Sequence, residues 1–139
     1  MEWVSKEPIF GDIVRVKVSF YYHYGIFVSE DSVIQFGLPD ITAQKAEEVR
    51  VIETDVCTFL NGGDIEVGVI SKRHSPEKTV ALAKARLGEG GYDILHNNCE
   101  HFAMECAVGE KSSFLDAVRV NLRKKLGKTI DKNISKDVE

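Results

Sequence analysis

The chain has 139 residues, enough for one ordinary domain and too few for two. Apolar residues at 43% and charged residues at 29% argue against global disorder, and a net charge of −4 argues against a surface that grips nucleic acid. Three cysteines, an odd number spread along the chain, do not make a disulfide scaffold, so each thiol has to be judged separately.

In chain order, Met1 to Glu7 has no basic patch followed by an apolar run, so it does not read as a secretory signal. No stretch approaches ~18 consecutive apolar residues. The expectation is a soluble, cytoplasmic protein in a reducing compartment. Gly11-Asp12 reads as a turn before a strand over Ile13 to Val18, where side chains alternate between apolar and charged. Tyr24 to Val28 is an aromatic and β-branched run, broken by Ser29-Glu30-Asp31 and followed by Ser32 to Phe36, which predicts a β-hairpin. Glu48 to Glu53 and Ile65 to Ile70 predict further strands. Between them, Asp55 to Leu60 predicts a helical turn closed by Asn61-Gly62-Gly63.

Ser75 caps a predicted helix, with Pro76 at its first position and Glu77 at the positive end of its dipole. Val80, Ala83 and Leu87 are its apolar positions, and Gly88 its left-handed stop. A second helix is predicted from Cys99 to Ala107, capped by Asn98, with Gly109 beyond. Cys99, Phe102, Ala103 and Cys106 share one face. A third is predicted from Ser112 or Ser113, with the stripe Phe114, Val118, Leu122 and Leu126 and the basic residues Arg119, Arg123, Lys124, Lys125 and Lys128. The expected fold class is α+β, a small antiparallel sheet packed against helices.

Cys99 is the thiol best placed for chemistry. The first turn of a helix offers unpaired N–H groups and partial positive charge, both of which stabilise a thiolate. The bland alternative is a small buried hydrophobe. Cys106 lies ~10.5 Å further along the same face, too far for a disulfide with Cys99, and reads as core. Cys57 also reads as packing. A thiol nucleophile needs an imidazole and a group that orients it. His101 is about 200° round the helix axis from Cys99, His96 lies on a loop, and His74 adjoins a helix N-terminus. His23 begins a strand next to Gly25, whose lack of a side chain allows close packing.

With Ser29-Glu30-Asp31 as a three-residue loop, His23 opposes Gly37 and Gln35 opposes Gly25. Gln35 then lies diagonally beside His23 on one face. A two-residue loop would put Gln35 on the other face. Read without chemistry, His23 is a half-buried strand histidine and Gln35 a solvated one. Metal binding is disfavoured, because Cys-x-His on a helix cannot converge on one ion and there is no Cys-x-x-Cys pair. No cofactor motif is present: there is no P-loop, no Gly-x-Gly-x-x-Gly and no serine elbow.

The segment Tyr92-Asp93-Ile94-Leu95-His96-Asn97-Asn98-Cys99-Glu100-His101-Phe102-Ala103 resembles the nucleophile motif of the lecithin–retinol acyltransferase-like family. Gly11-Asp12-Ile13-Val14 and His23-Tyr24-Gly25-Ile26-Phe27-Val28 resemble its first strands and histidine block. Thr58 to Gly63 and the helix from Ser75 match in order. The resemblance covers roughly residues 8–108. It implies a circularly permuted, NlpC-type papain-like core over residues 1–110, with residues 111–139 as a C-terminal basic helix and polar tail.

The resemblance also implies Cys99 as nucleophile, His23 as base and Gln35 as orienting group, where animal members usually have a second histidine. It implies an acyl-lipid donor, an acyl-thioester intermediate, and hydrolase or acyltransferase chemistry. The N–H of Cys99, the hydroxyl of Tyr21 or Tyr22, and Asn98 are candidates for holding the oxyanion or substrate. A peptidase or isopeptidase and a catalytically weak binding module are the rivals. Animal members often end in a membrane-spanning helix that this sequence lacks. Residues 113–128 could instead rest on an anionic membrane, or pack their stripe on the domain. No nucleic-acid partner is expected, and the oligomeric state cannot be read.

Overall fold

The computed structural model describes residues 1–109; the predicted basic helix lies outside the described residues. Among these residues the chain forms six strands: β1 (Glu2–Val4), β2 (Ile13–Val18), β3 (Tyr21–Ser29), β4 (Ser32–Phe36), β5 (Val51–Thr54) and β6 (Ile65–Val69). They make one antiparallel sheet in the order β1-β6-β2-β3-β4-β5. The helices are α1 (Val56–Leu60), α2 (Pro76–Ala85) and α3 (Cys99–Val108). The α+β expectation holds.

Alternation along the strands sorts the core into two layers. On one face Ile13, Ile26, Ile34 and Phe36 pack with Val80 and Ala83 of α2 and with Phe102, Ala103 and Cys106 of α3. On the other, Val14, Val16, Phe27, Val33 and Val67 pack around Phe59 of α1. The helix ends follow their cap residues. Asp55 accepts from Thr58 N–H, Ser75 from Lys78 N–H and Asn98 from His101 N–H, while Asn61 and Gly109 close α1 and α3 in the left-handed region.

The β3–β4 connection differs from the predicted loop in an instructive way. Ser29 pairs with Ser32, so Glu30-Asp31 is a two-residue turn. That alone would have moved Gln35 to the wrong face. A register shift between Phe27 and Ser29, at Val28, adds one residue to β3 and restores the parity. Phe27 then faces Val33, and Gly25 faces Gln35. His23 does not oppose Gly37: β4 ends at Phe36, and the Gly37 N–H turns away to the carbonyl of Arg50.

Other boundaries also shift. β1 was not anticipated; three residues are too few for an alternation signal, and only pairing with β6 defines it. β5 starts at Val51, because 46–48 winds into a 3-10 turn. Leu87 falls beyond α2 and is exposed. Cys57, expected in the core, is exposed on α1, whose one buried residue is Phe59.

Gly25 sits where Phe59 and Val33 of the α1 layer press on β3. An added Cβ would lie 2.8 Å from Phe59 Cε1 and 2.9 Å from Val33 Cγ1. Gly25→Ala should therefore lower unfolding stability by about 1–3 kcal/mol through overpacking. Denaturant titration, showing a lower midpoint at unchanged slope, is the check.

Candidate active site

α3 begins at Cys99 because the four residues Asn98 to His101 form a reciprocal cap. Asn98 Oδ1 accepts from the His101 N–H at 3.0 Å, and the Asn98 N–H donates to His101 Nδ1 at 3.1 Å. His101 is fully buried and helps to set the helix start. Asn98 Nδ2 donates one of its two protons to the Ile94 carbonyl at 2.7 Å, so the Asn98 amide serves the fold at both ends while the residue lines the cleft beside Cys99.

Cys99 is 7% exposed. Burial pushes its thiol up to about 11, and the nearby Glu100 carboxylate adds to the rise. The N–H groups of Tyr24, Glu100 and Cys99 itself work the other way, but desolvation wins. The sequence expectation of a lowered thiol pKa is therefore overturned. The helix N-terminus is present, yet its partial charge is weaker than the cost of ionising a dry sulfur.

His23 and Gln35 lie on the α1 face and are both fully buried. The imidazole packs against Phe59 with ring centroids 5.4 Å apart. His23 Nε2 and Gln35 Oε1 are 2.6 Å apart, so the sequence-derived pairing is formed and Gln35 is not solvated. Gln35 Nε2 donates to Thr54 Oγ1 at 2.7 Å, and that hydroxyl donates to the Asp55 carbonyl at 2.9 Å. His23 Nδ1 is buried without a hydrogen-bond partner. Burial lowers the imidazole to about 4, and the bond to Gln35 only partly opposes that.

Cys99 belongs to the core layer on the opposite face of the sheet from His23. α3 packs against β3, and Tyr24, the residue after His23, lines the same cleft as Cys99. The Tyr24 backbone favours the ionised form of the Cys99 thiol. No hydrogen bond joins the thiol to Nδ1; such catalytic bonds often form only with substrate bound.

A cleft of about 420 Å³ opens onto Cys99, lined by Phe20, Tyr21, Tyr22, Tyr24, Ile41, Tyr92 and Ile94 among others. Its rim includes Phe20, 91% exposed at the tip of the β2–β3 turn. The Tyr21 hydroxyl donates to the Pro39 carbonyl at 2.7 Å, so its proton is already committed and it is not a ready oxyanion donor. Tyr22 lies under the Arg15 guanidinium, 3.8 Å from its ring centroid, and Trp3 stacks on the same group at 4.4 Å. Arg15 pairs with Glu66 at 2.7 Å. Tyr24, pushed up to about 12 by burial and by Glu100, and Tyr92, also raised by burial, flank the thiol; sequence reasoning had singled out neither.

The remaining histidines stand apart. His96 faces Asp93 at 3.2 Å on an exposed loop, and His74 Nδ1 is 3.0 Å from the Cys106 carbonyl. Cys106 is core, as expected. Among the described residues no group of three His, Cys, Asp or Glu side chains is placed to hold a metal ion.

Fold and site thus define an α+β domain that places a buried thiol at the start of a helix packed on a hairpin carrying a dry His–Gln pair. The family model for lecithin retinol acyltransferase matches residues 6–112, and the chain belongs to that family. It is 30% identical to lecithin retinol acyltransferase of Mus musculus over 144 residues, covering 81% of this chain and 62% of that protein. The enzymes of the same name from Rattus norvegicus and Homo sapiens are 28% and 26% identical over the same shares. The chain thus spans a little under two thirds of the length of these relatives. No helix among the described residues is long and apolar enough to cross a membrane.

The depressed His23 makes acid stability a direct test. The unfolded chain protonates this histidine near 6.5, the folded chain only near 4. Its contribution is fully present above 6.5 and is lost as pH falls from there to about 4, by roughly 3 kcal/mol. Urea unfolding at pH 7 and pH 4.5 should show that loss in the wild type, and a much smaller one in His23→Asn.

Proposed function

We propose that the chain is a thiol-dependent acyltransferase or hydrolase, with Cys99 as nucleophile, His23 as general base and Gln35 as the group that orients His23. The observation that carries this reading is the unpartnered Nδ1 of a fully buried histidine, on the strand whose next residue, Tyr24, lines the cleft that opens onto Cys99. The relatives' name, which specifies an acyltransferase and both lecithin and retinol, supports an acyl-lipid donor. The aromatic and aliphatic lining of the cleft supports it too.

In this mechanism both partners rest neutral. His23 Nδ1 takes the proton of the Cys99 thiol as the sulfur attacks the ester carbonyl. The Cys99 N–H holds the developing oxyanion. The tetrahedral adduct collapses, His23 returns the proton to the leaving alcohol, and an acyl thioester remains on Cys99. Water, an alcohol or an amine then takes the acyl group, with His23 again as base. We place this chemistry on a permuted papain-like core spanning 1–110.

One observation favours a second reading, a binding module of the same fold: the thiol is pushed up to about 11 and has no hydrogen bond to the imidazole. Mass spectrometry separates the two. Because Cys57 is exposed and open to any electrophile, the experiment belongs in a Cys57→Ser background. Incubation with an activated acyl ester should leave one acyl adduct on the Cys99 peptide. Cys106→Ala should retain it and Cys99→Ala should lose it. Turnover on lipid esters should fall about 10²–10⁴-fold in His23→Ala. Folded protein that forms no adduct supports the binding module, and turnover on peptide conjugates instead of lipid esters would point to a peptidase.

A further inference from the structure

The chain of hydrogen bonds behind His23 has a direction, and its far end sets that direction. The Asp55 carbonyl can only accept; it takes the Thr54 hydroxyl at 2.9 Å and the Phe59 N–H, in the first turn of α1, at 3.3 Å. A hydroxyl has one proton. Having given it to Asp55, Thr54 Oγ1 can only accept from Gln35, at 2.7 Å. The Gln35 NH₂ group must therefore point to Thr54, and its carbonyl oxygen to His23 Nε2, at 2.6 Å. A carbonyl oxygen 2.6 Å from a ring nitrogen requires a proton on that nitrogen. Nε2 is then the N–H and Nδ1 the lone pair.

We infer that Thr54 is a positioning residue: through the Gln35 amide it holds His23 in the tautomer that leaves Nδ1 as the free base. An amide can turn over, and glutamine, unlike a carboxylate, presents a donor as readily as an acceptor. Left to itself, Gln35 could offer its NH₂ to His23 Nε2, which would drive the ring proton to Nδ1 and block it. Thr54, at the end of β5, rules this out, because a turned Gln35 would need the proton that Thr54 gives to Asp55. The kinetic consequence rests on the function proposed above; the tautomer does not.

Thr54→Val keeps the shape and the β-branching of a strand residue but removes the hydroxyl. The Gln35 NH₂ then loses its acceptor and turns to His23. Nitrogen-15 NMR of the His23 ring near pH 7, where the imidazole is neutral, reads the proton position directly. Wild type should show a protonated Nε2 and a bare Nδ1; Thr54→Val should show the reverse, and Thr54→Ser should restore the wild-type pattern. On lipid ester, Thr54→Val should lose about 10- to 100-fold in kcat with little change in KM, and Thr54→Ser should recover it. A proton on Nδ1 in the wild type, or one still on Nε2 in folded Thr54→Val, overturns the inference. The expected tautomers in a wild type that never acylates Cys99 would support the inference and overturn the enzymatic reading instead.

Discussion

Side chains on a strand alternate faces, so a slip of one residue between β3 and β4 would carry Gln35 in among the helices and leave His23 alone against Phe59. The bulge at Val28 prevents this by compensating for the two-residue turn at Glu30-Asp31. With parity restored, a fully buried imidazole finds a fully buried amide, and the amide finds Thr54 on the next strand. Each of these groups would be costly to bury alone. The single inserted residue thus lets a polar row exist inside an apolar layer. Gly25 completes the arrangement by letting Phe59 close over the strand.

Burial then governs the electrostatics on both sides of the sheet. The imidazole is lowered and the thiol raised for the same reason: each loses water that its charged form needs. The helix N-terminus at Cys99 and three N–H groups oppose the thiol's rise without overcoming it. A resting thiolate–imidazolium pair is therefore disfavoured, and in the proposed chemistry the proton moves only as the sulfur attacks. The two buried groups lie on opposite faces of the sheet, Cys99 with the α2–α3 layer and His23 with the α1 layer.

Much of this was legible in local pattern. Cap residues are read over three or four positions, so Asn98 and Ser75 marked their helix starts correctly. Periodicity placed Phe102, Ala103 and Cys106 in the core. His101, by contrast, was seen only as pointing away from Cys99; its bond back to the Asn98 N–H is a capping role that spacing alone does not announce. Thr54 and Arg15 gave no signal, because their partners Gln35 and Trp3 meet them only across the sheet. Cys57 misled for a related reason: α1 is only five residues long, and it turns Phe59 into the core, with Val56 and Leu60 half-buried beside it, while Cys57 faces solvent.

By itself the sequence determined the residue types of the site and their local settings: a cysteine after an asparagine cap, and a histidine and a glutamine twelve positions apart on a hairpin. It also determined the family resemblance that ties them together. Tertiary structure decided the rest. Whether Gln35 faces His23 depended on a bulge, whether the thiol ionises depended on how much water the packed helices exclude, and which way the Gln35 amide points depended on Thr54. Propensity and periodicity act within a few residues, whereas desolvation and hydrogen-bond direction are set by neighbours brought from elsewhere in the chain.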